Sequence, residues 1–121
     1  MNTIINYLYR DAANYKAYPE KEVITAGELT WADFKPPLHM GEMFIPGDLD
    51  LPELQFQLEN YPNSDDHIWH QLLELEPTKK GPTVDITAAE ISRRLEKIAK
   101  NGWNESAAFK RHNFLKVEGF S

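Results

Sequence analysis

Residues 3–9 alternate strictly. Thr3, Ile5, Tyr7 and Tyr9 fall on one side of an extended chain, and Ile4, Asn6 and Leu8 on the other. β-Branched and aromatic side chains dominate, so the pattern predicts a strand. Residues 15–18 begin a return before Pro19 interrupts it. "EVITAGEL" (22–29) supplies a second strand centred on Val23 and Ile24, and a hairpin with a long connection is the simplest arrangement. "TWADF" (30–34) starts with Thr30 and carries Asp33 three residues on, which resembles a capping box with Asp in place of Glu. Pro36 and Pro37 keep that helix short. Gly41 and the run Pro46-Gly47-Asp48 bracket a short apolar strand, residues 43–45. Pro52 is placed to open another short helix, "PELQFQL". "DDHIWHQLLELEPT" (65–78) fits two templates. As a helix, Asp66 caps it and Ile68, Leu72 and Leu75 share a face. As a strand, Trp69, Leu73 and Leu75 share one, with Gln71 breaking the set. The strand is preferred, because the sheet needs more members and both flanks are loop.

The pattern changes after "PTKKGPT" (77–83), which reads as a linker. Thr87 to Glu90 forms a capping box, with Ile86 and Ile91 as a hydrophobic staple. Ile91, Leu95 and Ile98 recur at spacings of four and three, the stripe of an amphipathic helix. Gly102 stops it after Lys97 and Lys100. Asn104 caps a second, shorter helix through Phe109. The amphipathic tail "NFLKVEGFS" (113–121) is too apolar to stay free, and docking on this chain or a neighbour is expected. The expected architecture is a single α+β domain over residues 1–121. It has an antiparallel sheet of three to five strands with short connecting helices, and two C-terminal helices. Its parts are a mixed body (1–78), a linker (79–85) and a helical C-terminal part (86–121).

Composition narrows the chemistry. At 121 residues and 41% hydrophobic, the chain can bury a core without staples. It has no cysteine, which removes disulfides, thiolate nucleophiles and cysteine zinc sites together. No apolar run nears the roughly 20 residues of a membrane span, and "MNTIINYLYR" lacks a signal peptide's basic start and apolar core. A cytoplasmic protein with no membrane partner is the expectation. The charge is uneven. Residues 1–90 hold 6 Lys and Arg against 16 Asp and Glu, a balance of −10, whereas residues 91–121 hold 7 against 3, a balance of +4. An acidic body argues against direct binding of a nucleic-acid backbone. The basic quarter either forms a local anion site or pairs with the acidic body, within the chain or between subunits.

Candidate chemistry is sparse. His67 and His70, with Asp65 and Asp66, place four ligand-type side chains within six residues, but they match no specific zinc spacing. Carboxylates are abundant without a pairing that marks acid–base catalysis. There is no G-x-S-x-G, no phosphate loop and no G-x-G-x-x-G. No catalytic residue, metal ligand or cofactor is therefore assigned. Arg93, Arg94 and Arg111, interleaved with Trp103 and Phe109, have the composition of a small nucleotide pocket, in which rings stack a base and arginines hold phosphates. An ordinary amphipathic helix pair has the same composition. In "YRDAANYK" (9–16), Asp11 and Asn14 read as turn residues. The stretch reads first as a turn, with Arg10 pairing with Asp11 or the acidic body; Arg10, Tyr15 and Lys16 nevertheless exceed what a turn needs, and an anion or partner contact is the alternative.

"YRDAANYK", "GEMFIP" (41–46), "LPELQF" (51–56), "DDHIWHQL" (65–72) and "PTVDITAAEI" (82–91) together resemble a group of small bacterial and phage proteins. That group carries Y-R-D-A-x-N-Y-K, G-E-x-F-I-P, D-D-H and P-T-x-x-I-T-x-x-E segments in the same order. The likeness runs over residues 3–95 and carries over no catalytic residue. It implies a compact α+β fold and carriage on phages or mobile elements. The leading expectation is a non-enzymatic binding protein, a phage-type anti-defence inhibitor that blocks a host defence complex by direct contact, as anti-CRISPR proteins do. The alternative is an oligomeric sponge that sequesters a cyclic nucleotide or cyclic ADP-ribose signal. A third reading is a small metal-dependent enzyme built on residues 65–70.

Overall fold

The computed structural model describes residues 1–59, 61–62 and 66–112. The fold is α+β. In chain order it contains β1 (Asn2–Arg10), β2 (Lys16–Ala17), β3 (Ile24–Thr25), α1 (Trp31–Phe34), β4 (Met43–Phe44), β5 (His70–Thr78), α2 (Ala88–Asn101) and α3 (Glu105–His112). Short 3-10 turns occupy Pro46–Leu49 and Gln55–Gln57. The sheet is antiparallel, in the order β2-β1-β5-β4, with β3 also paired to β1. The expected tail (113–121) and Asp65 lie outside the described residues.

Strand β1 organises everything else. Its alternation survives intact: Ile5, Tyr7 and Tyr9 enter the main core, while Ile4 and Leu8 are buried on the opposite face. The main core also takes Phe34 from α1, Phe44 from β4, Leu72 from β5 and Ile91, Leu95 and Ile98 from α2. One core thus joins the mixed body to the helical part. A smaller cluster of Ile45, Ile68 and Ala108, backed by Trp69, Trp103 and Phe109, seats α3.

The 65–78 segment resolves as a strand, β5, beginning at His70. A helix there would have left β1 unpaired along most of one edge. Instead β5 pairs with β1 from Asn2↔Thr78 to Leu8↔Gln71, and an extra residue, Leu73, enters between the Asn6↔Glu74 and Tyr7↔Leu72 pairs. This bulge puts Leu73 on the surface, 43% exposed, while Leu72 stays in the core. On its outer edge β5 meets β4 only at His70 and Gln71. Pro77 suits the rest of that edge. Ile5 donates its N–H to the Val23 carbonyl (2.8 Å), away from β5. Thr3↔Pro77, two residues along, therefore aims the position without an N–H outward. Proline, bulge and Glu74 together blunt an otherwise open edge.

Several local expectations need correction. Residues 51–54 form no helix, and the helix expected at Pro52 is only the 3-10 turn Gln55–Gln57. Tyr7 explains this, because its hydroxyl takes the Pro52 carbonyl (2.5 Å) that a helix would have used. The second strand shrinks to Ile24–Thr25. The stretch expected as a linker does join β5 to α2 without an element of its own, and it is fastened at Thr83, which donates its hydroxyl to the Glu22 carbonyl and accepts from the Ile24 N–H, while its own N–H reaches the Ile24 carbonyl. Thr87 caps α2 by accepting from the Glu90 N–H (3.2 Å), but the Glu90 carboxylate turns to Arg93 rather than back to Thr87, so the box is half made. Asn104 caps α3 through the Ala107 N–H (3.1 Å), and that helix runs on to His112.

Ile91 is fully buried at the centre of the core. Ile91→Ala removes apolar contacts and leaves a cavity, which should cost about 2–5 kcal/mol. A lowered urea midpoint with an unchanged slope checks this.

Candidate functional site

The first candidate is the β1–β2 turn. Arg10 and Lys16 are register partners. The Asp11 N–H donates to the Tyr15 carbonyl (3.0 Å), and the Asn14 N–H donates to the Asp11 carbonyl (3.0 Å). Ala12 and Ala13 form the turn, and Asn14 follows with φ 71°. This is a three-residue hairpin loop, a tight turn closed by one left-handed residue. Asn tolerates that conformation better than most residues do. The buried Asp11 carboxylate accepts the Tyr15 N–H (2.8 Å), which closes the loop from inside. Arg10, Lys16 and Tyr15 are left exposed, Tyr15 at 61%, with Tyr18 at 53% close along the chain.

A buried polar clamp braces the base of this hairpin. The Tyr9 hydroxyl donates to Asp66 Oδ1 (2.7 Å) and accepts the His67 N–H (3.0 Å). The His67 Nδ1 accepts the Trp69 N–H (3.0 Å), so the proton sits on Nε2, which donates to the Arg10 carbonyl (2.7 Å). That tautomer is neutral, and burial lowers the His67 pKa against the opposing pull of the Arg10 carbonyl, Asp66 and Asp11. His70 accepts the Leu54 N–H on Nε2 (3.0 Å). Burial lowers its pKa to about 3. Its Nδ1 and the Gln55 Oε1 make no hydrogen bond among the described residues. The two histidines flank the Tyr9 ring, with centroids 5.0 and 5.3 Å away. Each imidazole is thus turned to a backbone group, and among the described residues no three His, Asp or Glu side chains converge on one point.

The C-terminal cations are held otherwise. Arg111 grips Glu53 with two nitrogens (2.8 and 3.1 Å) and lies 3.9 Å from Asp48. A Cβ at Gly47 would sit 2.6 Å from the Arg111 Cζ, so a larger residue there would push the guanidinium aside. His112 is buried between Glu53 (Nε2, 3.0 Å) and the Tyr61 hydroxyl (Nδ1, 2.7 Å), with Phe56 stacked on its ring. Burial alone would raise the Glu53 carboxyl, but hydrogen bonds from His112 and Arg111 outweigh it and bring the pKa down to about 2. Burial, with Asp66 and Glu53 nearby, pushes the Tyr61 phenol up to about 12. A carboxylate, an imidazole and a hydroxyl in line have the order of an activated nucleophile. The row also joins α3 to the body, since His112 lies on α3 and Glu53 and Tyr61 do not. Arg94 pairs with Asp50 (3.1 Å), and Arg93 with Glu90.

The sequence-derived residues therefore separate into two groups. Arg10, Tyr15 and Lys16 stand together on the hairpin. Arg93, Arg94 and Arg111 each face a carboxylate. Trp103 donates its indole N–H to the Pro37 carbonyl (2.7 Å), and Phe109 packs in the smaller cluster. An open hollow of about 1040 Å³ at the start of α2 is lined by Arg93 and Arg94 together with Asp50, Asp85 and Glu90, and by neither aromatic residue. Sequence reading missed the Glu53–His112–Tyr61 clasp, whose members lie up to 59 residues apart. It also missed the Tyr9–Asp66 bond.

Two expectations follow. Asn14→Gly should leave stability within about 1 kcal/mol of the native protein, and Asn14→Val should lower it by about 1–2 kcal/mol; thermal melting separates the two. The folded pKa values of His70 and Glu53 both lie below their ordinary values of 6.5 and 4.5. Each group's contribution is complete above the ordinary value and is lost as pH falls towards the folded one. Urea midpoints should therefore decline below pH 6.5 and more steeply below 4.5, and Glu53→Gln should lessen the added steepness below 4.5.

No family model matches this chain, and neither does any curated protein or solved structure.

Proposed function

We propose that the protein is a non-enzymatic binding protein that acts by direct contact with a larger host complex, in the manner of a phage anti-defence inhibitor. One observation carries this reading. Arg10 and Lys16 stand opposite each other on a rigid, internally braced turn beside exposed Tyr15, and among the described residues neither cation has an ion-pair partner. Tyrosine and arginine on a preorganised support suit a protein contact, because little order remains to be imposed on binding. The buried histidines and Glu53 hold backbone and side chains in place, which makes them part of the support. The resemblance to small phage proteins adds the class of partner, a host defence assembly.

The test is retention of a host complex on the immobilised full-length chain. Arg10→Ala with Lys16→Ala should cut retention by about tenfold or more, and Arg93→Ala, whose cation already faces Glu90, should leave it unchanged. Equal retention by all three proteins, or no retained complex at all, would overturn the proposal.

A further inference from the structure

Cross-strand partners on an antiparallel pair hold their β-carbons about 5 Å apart on one face, and like charges placed there repel. Arg10 and Lys16 occupy such a pair. Asp11, the neighbouring carboxylate, is buried and turned to the Tyr15 N–H, so the turn uses it internally. The chain thus holds two cations against each other on a fixed support without a counter-charge among the described residues. Every arginine on α2 and α3, by contrast, faces a carboxylate.

We infer that the Arg10–Lys16 rung binds a single oxyanion group, carboxylate or phosphoryl, presented by a partner protein whose surface is otherwise basic. This deepens the binding-protein reading and rests on it for the existence of a partner. Arginine supplies a planar fork and lysine a point charge, the two donor geometries suited to one oxyanion. The partner's basic character follows from the net charge of −6 on the whole chain. That field repels polyanions at long range and draws in a basic surface. The rung then reads the one anionic group embedded in it, which fixes register and excludes partners that lack the group.

The native full-length chain is titrated with inorganic phosphate and, separately, with acetate, and followed by NMR at the Arg10 Nε–H and the Lys16 and Tyr15 amides. Saturable shifts at millimolar concentration are expected at these positions, weakened about tenfold or more in Arg10→Ala/Lys16→Ala. Stronger binding of phosphate than of acetate identifies a phosphoryl group, and the reverse a carboxylate. Both side chains are exposed, so the variant should fold, and the single change Lys16→Gln gives an intermediate loss if it does not. No shift, or the same shift in the variant, overturns the inference. So does a single-stranded oligonucleotide that binds more tightly than phosphate with a steep salt dependence. A second copy of the chain is the remaining occupant to exclude, because Glu74 and Glu76 lie on the same sheet face as Arg10. A concentration-dependent dimer that Glu74→Lys/Glu76→Lys abolishes would also overturn it. Host-complex retention that depends on the rung without any anion binding would sink this inference alone. Anion binding without rung-dependent retention would sink the binding-protein reading instead.

Discussion

Strand β1 is paired along both edges and buried on both faces. Few nine-residue stretches of a small domain carry that load, and the rest of the structure depends on it. Because β5 takes one edge over most of its length, β2 and β3 must share the other. Because Ile5, Tyr7 and Tyr9 all point into the main core, α1 and α2 must pack on that face. The two tyrosines extend the same constraint into polar chemistry. The Tyr7 hydroxyl holds the Pro52 carbonyl, and the Tyr9 hydroxyl ties Asp66 and His67 to the far end of the strand. Burial raises both phenol pKa values, so both remain donors across the physiological range.

Charge is used in two different ways. Within the body, carboxylates and cations neutralise each other where the chain folds back on itself: Asp48 and Glu53 meet Arg111, and Asp50 meets Arg94. Burial raises the Asp48 carboxyl above its usual range, and the Asn104 N–H and Arg111 draw it back. The Glu53 pair is well formed because the carboxylate receives a bidentate arginine and an imidazole together, which offsets the cost of desolvation. At the hairpin the opposite holds, and two like charges are displayed side by side. Arg94 and Arg111 thus close the fold, and two of the six cations of residues 1–90 are left exposed on the hairpin.

Much of the fold was legible from local pattern. The β1 alternation, the Ile91–Leu95–Ile98 stripe, the Thr87 and Asn104 caps and the stop at Gly102 are short-range signals, and each is met within a few residues of where it is written. The misreadings share one cause. Pro52 is a good helix opener, but a tyrosine 45 residues upstream claims its carbonyl. Glu90 has the spacing of a capping-box partner, yet the longer reach of Arg93 wins it.

The sequence by itself determined the class of the fold, the position of its main strand and helices, and the three side chains displayed on the hairpin, because alternation, helical period and turn chemistry act over a handful of residues. Only the tertiary structure decided which cations are free. Arg111, Arg94 and Arg10 look alike along the chain. Whether a carboxylate meets a guanidinium depends on where residues some 45 to 60 positions away are brought by the core, and that is a property of how sheet and helices pack.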